Sequence, residues 1–378
     1  MKICFVASAD SIHTVRWVTF FIKAGHEVHL ISHKGREIEG VIFHCLKTLG
    51  RSRFEPERIR ITDMFTYGYF AIQTRKIIKK IKPEIVHAHN VILGGFYATR
   101  LKFHPLVVTA WGTDVLIAPK KSFILRKIAK LVLSRADIIT CDGRNTERAM
   151  VRLGAEAQKI KIIYFGIDTK KNTPLLRDEK LREQLAAEKS SIIISLRSFN
   201  PVYNIETLIK AIPIVLNEIT DVKFIIAGSG LQEDYLKQMA NSLGVTDYIV
   251  FTGNLLSEEI PNYLASSDLY VSTSLSDSGL AASTGEAMAC GLPVISTDVG
   301  AINDWLVEGE GGFIIPTEMP DILANRIIYS LKNKNMLKKM GDINRKTITE
   351  KQDYYKEMEK MEKICEELVD GNKICCSY

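Results

Sequence analysis

No run of about 18 consecutive apolar residues occurs anywhere in the 378-residue chain, which excludes a membrane-spanning helix. The apolar start MKICFVASADS is too short for the core of a secretory signal and runs on into folded-looking sequence. Cysteine is sparse. The 7 residues (Cys4, Cys45, Cys141, Cys290, Cys365, Cys375 and Cys376) are odd in number and irregularly spaced, with no repeated C-x-x-C. That pattern excludes a zinc ribbon and a disulfide framework, and implies free thiols in a reducing, cytoplasmic setting. The net charge of +6 is mild and spread over every segment, which argues against nucleic acid as a partner. There is no low-complexity segment and no short-period repeat. A hydrophobic fraction of 46% and a charged fraction of 25% are those of a globular protein, and 378 residues exceed what one core usually serves, so two domains are expected.

Short β-branched runs bounded by Gly, Pro or polar residues recur through the first half: KICFVAS, EVHLISH, VIFHCL, EIVHAHN, LVVTAWG, DIITCD and KIIYFG. Near-continuous apolar runs of this length predict strands buried on both faces, as in a parallel sheet. Helical pattern fills most of the gaps, as between His13 and Gly25. The second half repeats the plan with SIIISL, KFIIAG, YIVFTG, LYVSTS, PVISTD and GFIIP. Residues 205, 208, 209, 212, 215, 216 and 219 form an apolar helical stripe. From about residue 323 the pattern is helical and strandless. The expected fold class is therefore α/β, with two doubly wound, Rossmann-like domains at 1–170 and 171–345 and packing helices over 346–378. Ligands of such sheets bind outside the carboxyl ends of the strands, so a cleft between two domains is the expected site.

The stretch SDSGLAASTGEAMACGLPVISTD, residues 276–298, stands between the strands LYVSTS and PVISTD. Its helix is expected over about 281–289, with the loop before it leaving a strand's carboxyl end. Gly279, Ala281, Ala282, Ser283 and Thr284 offer little side chain, so backbone amides over 278–283, that of Leu280 included, can approach an anion closely, as a phosphate requires. Tight packing of the helix on its sheet asks for the same small residues, and the sequence leaves both readings open.

The run GEAMACGLPVISTDVGA (285–301), preceded by SLSDSGL, resembles the retaining glycosyltransferases of family 4, which have the GT-B fold. The resemblance extends over nearly the whole chain. RADIITCDGRNTERAMVRLGAEAQKIKIIYFGID (135–168) is similar to the segment closing the family's first domain, and SLRSFNPVYNIETLIKAI (195–212) to the one opening its second. It implies Glu286 on the ribose, Arg197 and the preceding amides on the diphosphate, and no metal or other cofactor. It further implies transfer of a sugar from a UDP- or GDP-sugar to a hydroxyl of a saccharide or lipid-linked acceptor, with retention of configuration.

The chain departs from the family pattern at particular positions. Ser278 stands where a second acidic residue usually touches the donor sugar, with Asp277 one residue earlier. Tyr203 takes the place of a Lys that usually accompanies the Arg, and Trp111 that of a His. Gly228 and Gly230 follow a strand without a third glycine at Glu233, which fits a tight turn beside the nucleotide better than a dinucleotide fingerprint. Gly253 and Asn254 join them on the donor side. His13 and Arg16, in the loop after the first strand, together with His89, Asn90, Trp111, Gly112, Asp114 and Tyr203, are expected around the donor sugar and acceptor. His87 and His89 fall on one face of a strand, which suits a cleft wall or a ligand pair, but no third ligand sits nearby. A glycosidase needs two acids flanking the bond, whereas Asp277 and Glu286 belong to one phosphate-facing element. An epimerase, a phosphorylase or an impaired binding protein would keep the same architecture. Residues 119–136 combine six basic residues with an apolar stripe, which reads either as a core-packed helix or as peripheral contact with an anionic membrane.

Overall fold

The structure is a computed structural model that describes residues 1–35, 37–47, 63–100, 102–185, 189–277 and 279–375. Ser278, assigned above to the donor side, lies outside the described residues. The chain divides into two compact units, one of Met1–Phe165 with Tyr355–Tyr378 and one of Gly166–Tyr354.

The first unit is a seven-stranded parallel sheet in the order β3-β2-β1-β4-β5-β6-β7. Its strands are β1 (Lys2–Val6), β2 (Glu27–Ser32), β3 (Ile42–Cys45), β4 (Ile85–His89), β5 (Leu106–Thr109), β6 (Ile138–Cys141) and β7 (Ile160–Ile162). The central strands β1, β4 and β5 are apolar on both faces because helices cover both, which is why they read as unbroken runs rather than alternations. Helix Phe123–Arg135 turns Leu125, Ile128, Ala129, Val132 and Leu133 into this core and leaves its basic residues outside. The last helix, Tyr354–Cys375, buries Met358, Met361, Cys365 and Val369. It is pinned where Glu357 accepts the Tyr164 amide at 3.0 Å and Glu362 meets His26 Nε2 at 2.7 Å.

The second unit holds the six-stranded parallel sheet β10-β9-β8-β11-β12-β13. Here the strands are β8 (Ser191–Leu196), β9 (Val222–Ala227), β10 (Ile249–Gly253), β11 (Leu269–Ser272), β12 (Val294–Thr297) and β13 (Gly312–Ile315). Helices Ile205–Leu216 and Pro320–Lys332 cover one face with Leu208, Ile209, Ile212, Val215, Leu323 and Ile327, all buried. Thus each sheet starts with its first strand in the middle, winds outward one way, then returns and winds outward the other way. The reversal falls between β1 and β4 in one unit and between β8 and β11 in the other, and at such a reversal the loops part and leave a crevice.

The segment 346–378, expected as a helical tail of its own, is shared out instead. Helix Lys334–Lys351 packs in the second unit, while the helix after it belongs to the first. Helical period alone does not reveal which core an amphipathic stripe seeks.

Candidate functional site

At the reversal of the second sheet, Arg197 follows the last residue of β8 and its amide still donates to the Ala227 carbonyl, at 3.2 Å. Phe199, 1% exposed, anchors the loop that follows. That loop lies so close to the turn after β9 that a Cβ on Gly228 would come within 2.2 Å of the Arg197 carbonyl oxygen, and one on Gly230 within 2.7 Å of the Phe199 backbone. Both glycines also have positive φ, 150° and 157°. They are therefore needed to seat the Arg197 loop, as the tight-turn reading anticipated. Gly253, with φ of 68°, presents its carbonyl to the Gly228 amide at 2.8 Å; Asn254 beside it is exposed.

The Arg197 guanidinium is enclosed on several sides. Its Nη2 donates to Asp277 Oδ1 at 2.6 Å and to Ser274 Oγ at 2.8 Å. The carbon of the guanidinium lies 4.3 Å from the centre of the Tyr203 ring, a cation–π distance. The side chain is 9% exposed, and its Nε has no hydrogen-bond partner. The partners are themselves held. Thr297 Oγ1 donates to the Ser274 carbonyl at 2.6 Å, and Thr273 Oγ1 to the Tyr203 carbonyl at 3.1 Å. The Leu275 amide bonds the Val202 carbonyl at 2.8 Å. Gly300 lies against Asp277 and Gly279, where a Cβ would sit 2.6 Å from the Gly279 oxygen and 3.0 Å from Asp277 Cβ.

The helix expected over 281–289 is Ala282–Ala289. No side chain caps it: Ala281 at the N-cap makes no side-chain bond. The first amides of a helix have no intrahelical acceptor, so they remain available with the positive end of the dipole. The packing reading of the small residues holds for one face of this helix, and the other face is left open. Thr284, Gly285, Ala287, Met288 and Ala289 are buried, and a Cβ on Gly285 would strike Ile167 at 2.8 Å. Gly279, Leu280, Ala281, Ala282, Ser283 and Glu286 keep partial or full exposure. Ser283 Oγ accepts from the buried Tyr270 hydroxyl at 2.8 Å. Burial raises the Tyr270 pKa, so this phenol stays a donor.

The reversal of the first sheet opens a cavity of about 180 Å³ lined by Ser8, Ser11, Thr14, His89, Asn90 and Trp111 among others. Aromatic rings pack beside it. His13 stacks on Trp111 at 4.4 Å and 20°, and His89 meets Trp111 edge-on at 5.4 Å. Trp17 stands edge-on to both His87 and His89, at 5.2 and 5.1 Å. His87 Nε2 pairs with Thr109 Oγ1 at 2.7 Å and His89 Nδ1 with Thr14 Oγ1 at 3.3 Å. Burial lowers the pKa of His87 to about 3, of His13 to about 4, and of His89 well below the ordinary value, so all three are neutral at pH 7. The pair on β4 is a packed wall; among the described residues no group of three or more His, Cys, Asp or Glu side chains has the arrangement of a metal site.

Some expectations for this unit need correction. His13 and Arg16 are not in a loop but in helix Ile12–Lys23, which starts directly after Ser11; Arg16 lies 3.8 Å over the Phe165 ring. Asp114 is 3% exposed and faces backbone: Oδ2 accepts from the Val91 amide at 2.7 Å and Oδ1 from that of Trp111 at 3.1 Å. It shapes the loops around the cavity, and burial raises its pKa to about 6. Asn90 does similar work at φ of 70°, its Oδ1 accepting from the Ile92 and Leu93 amides, each at 3.0 Å. Gly112, at φ of 97°, permits the turn into Thr113–Leu116. Sequence reasoning missed Ser274 and Thr297, which hold Arg197 and its loop. The only signal was their position at strand ends flanking the reversal.

Comparison with known proteins agrees over both units. Residues 177–347 match the family model described as glycosyl transferases group 1, and residues 2–143 that described as glycosyl transferase 4-like. The chain is 24% identical over 339 residues to the N-acetyl-alpha-D-glucosaminyl L-malate synthase of Bacillus anthracis, covering 86% of this chain and 85% of that protein. It is 25% identical over 295 residues to the GDP-mannose-dependent alpha-(1-6)-phosphatidylinositol monomannoside mannosyltransferase of Mycolicibacterium smegmatis, covering 73% and 76%. Among solved structures, that of Anabaena HepE in complex with UDP superposes with a TM-score of 0.80 at 18% identity, covering 97% of this chain and all of that one.

Proposed function

Because the chain belongs to the group 1, family 4 glycosyltransferases of GT-B fold, we propose that it is a retaining enzyme. In this reading it moves a sugar from a UDP- or GDP-sugar to a hydroxyl of a saccharide or lipid-linked acceptor. The observation that carries the proposal is the Arg197 guanidinium, poised at the reversal of the second sheet beside an uncapped helix start. Breaking the anomeric C–O bond builds negative charge on the diphosphate, and meeting that charge is the main electrostatic task. Arg197 meets it with charge-assisted hydrogen bonds and the amides following Ala281 with theirs, so the reaction needs neither metal nor other cofactor. Glu286, on the exposed side of the same helix, takes the ribose hydroxyls. Asp277 holds Arg197 in place until the diphosphate displaces it, then turns to the donor sugar, in the role the family gives to the position occupied here by Ser278. Gly228, Gly230, Gly253 and Asn254 border the nucleoside. The acceptor hydroxyl attacks from the face the diphosphate leaves, and a phosphate oxygen removes its proton, so no side chain acts as nucleophile.

The small cavity of the first unit, with His89 and Trp111 on its wall, serves the acceptor. Phe123 and Ile124, 69% and 42% exposed at the start of a helix with a basic outer face, support peripheral contact with an anionic membrane if that acceptor is lipid-linked. No described helix is long and apolar enough to cross a membrane. Support for the donor class comes from the relatives: one is named for its dependence on GDP-mannose, and a structural neighbour holds UDP. Thermal-shift titration with UDP, GDP and ADP, followed by transfer assays with the matching sugar nucleotides in EDTA, tests the reading. Saturable stabilisation by UDP or GDP and acceptor-dependent turnover are expected. Turnover without acceptor would identify an epimerase instead, and an absence of nucleotide binding would overturn the proposal.

A further inference from the structure

At the opposite end of the second sheet, where its strands begin, a cavity of about 440 Å³ opens. Its rim carries five cations, Arg177, Arg182, Lys189, Lys334 and Lys338, against one carboxylate, Asp268. Asp268 is already committed: Oδ2 accepts from Arg182 Nη1 at 3.1 Å and from the Ile192 amide at 2.8 Å, and Oδ1 lies 3.6 Å from Arg177. Arg177 also donates from Nε to Glu179 Oε1 at 2.8 Å, so the two arginines are balanced by two carboxylates, Asp268 and Glu179, and the uncompensated charge of the rim is that of its lysines. Among the described residues, Lys189, Lys334 and Lys338 make no ion pair.

Two further features make this more than a solvated basic surface. Arg182 is 5% exposed and fixed by bonds from its terminal nitrogens to the Ser266 and Ser190 carbonyls, at 2.6 and 2.7 Å. Its Nε, however, is buried without a hydrogen-bond partner; the nearest carboxylate oxygen, on Glu179, is 3.7 Å away. In addition, helix Lys334–Lys351 opens on this cavity with no acidic residue in its first turn and no side-chain cap, and with Lys334 as its first residue and Lys338 one turn on. Cations there oppose the helix dipole, and like charges gathered on low-dielectric walls repel one another unless an anion sits among them. The small polar rim, Ser190, Ser191 and Ser267, and the apolar floor of Leu337 and Pro293 suit a compact phosphorylated molecule rather than a polymer.

We propose that this cavity is a second anion site, which binds the phosphate group of a small phosphorylated metabolite through Arg182, Lys189, Lys334 and Lys338. It is separate from the Arg197 site, which lies past the opposite ends of the same strands.

The test is calorimetric titration of the full chain with inorganic phosphate and with ribose 5-phosphate, at constant ionic strength kept with chloride. Saturable binding is expected in the wild type and in Arg197→Gln. The double substitution Lys334→Gln/Lys338→Gln, at exposed positions, should weaken it about tenfold or more. Lys334→Arg/Lys338→Arg should retain it. Binding lost in Arg197→Gln but kept in the double glutamine variant would place the anion at the donor site and overturn this inference while leaving the proposed function intact. No saturable binding in any variant, or equal binding in the glutamine and arginine pairs, would overturn it as well.

Discussion

Replacing Asp277 with Asn should tighten the binding of free nucleoside diphosphate. In the structure Asp277 already occupies the guanidinium that the diphosphate is proposed to use, at 2.6 Å, with Arg197 9% and Asp277 19% exposed. A diphosphate must therefore break a charge-assisted bond before it makes its own. Such a bond is worth about 1.5–3 kcal/mol, against about 0.5–1.5 for a neutral one. Asn keeps an acceptor oxygen at the same place, so the substitution lowers the competition by ~1 to 1.5 kcal/mol without emptying the site. Removing a carboxylate from beside an incoming dianion acts in the same direction. UDP or GDP, whichever the wild type binds, should bind about tenfold more tightly to Asp277→Asn. Transfer from the sugar nucleotide should fall, because the carboxylate is also proposed to reach the donor sugar. Calorimetric titration supplies the affinities, and Arg197→Gln alone and combined with Asp277→Asn closes a double-mutant cycle in which the gain must vanish. If Asp277→Asn binds the diphosphate no better than wild type, or if the gain survives without Arg197, the assignment of Arg197 to the diphosphate is wrong.

Other expectations follow from the same geometry. Glu286→Ala should weaken UDP or GDP by about 10- to 100-fold, the loss of a charge-assisted bond to ribose, and the deficit should shrink when the 2′-deoxy nucleotide is titrated. Gly228→Ala should impair transfer through a displaced Arg197 loop, since the added methyl meets a carbonyl oxygen at 2.2 Å and φ is 150°. Backbone strain of this kind costs about 1–3 kcal/mol, to be read as a lower melting temperature together with a reduced kcat/KM. The first unit should be acid-labile. His87 is fully buried with a folded pKa of about 3 against 6.5 when free, so the unfolded chain binds the extra proton and stability falls as pH drops below 6.5. The loss is ~2 kcal/mol by about pH 5. Asp114, raised to about 6, works the other way, contributing stability below its folded pKa, but returns only ~1 kcal/mol over that interval. Urea melts followed by Trp17 and Trp111 fluorescence in a Trp305→Phe background should show this dependence, and His87→Gln should make it shallower, leaving the part that the buried His13 and His89 contribute in the same direction; parallel profiles would exclude His87 as a cause.

Much of the architecture was legible because buried parallel strands write themselves as unbroken β-branched runs. The thirteen segments picked out by that pattern are the thirteen strands of the two sheets. The helix start near residue 281 was legible for a related reason: a stretch of small residues after a strand has few alternative uses. Contacts between residues far apart in the chain were not legible. Nothing in the spacing of Arg197, Ser274 and Asp277 says that they touch, since their meeting depends on β8 and β11 being neighbours across the reversal. Asp114 and Asn90 looked like ligand contacts because short polar residues at strand ends serve that purpose as readily as they satisfy loop amides. Only the distances to Val91, Trp111, Ile92 and Leu93 separate the two uses.

The return of the last helix to the first unit has a consequence for synthesis. A ribosome delivers residues 1–165 first, yet their core lacks Met358, Met361 and Cys365 until nearly the whole chain has emerged. The unit made in between, Gly166–Tyr354, is continuous and can close before its predecessor does. An early stop within the final helix would therefore injure the half of the protein translated first and spare the half translated later.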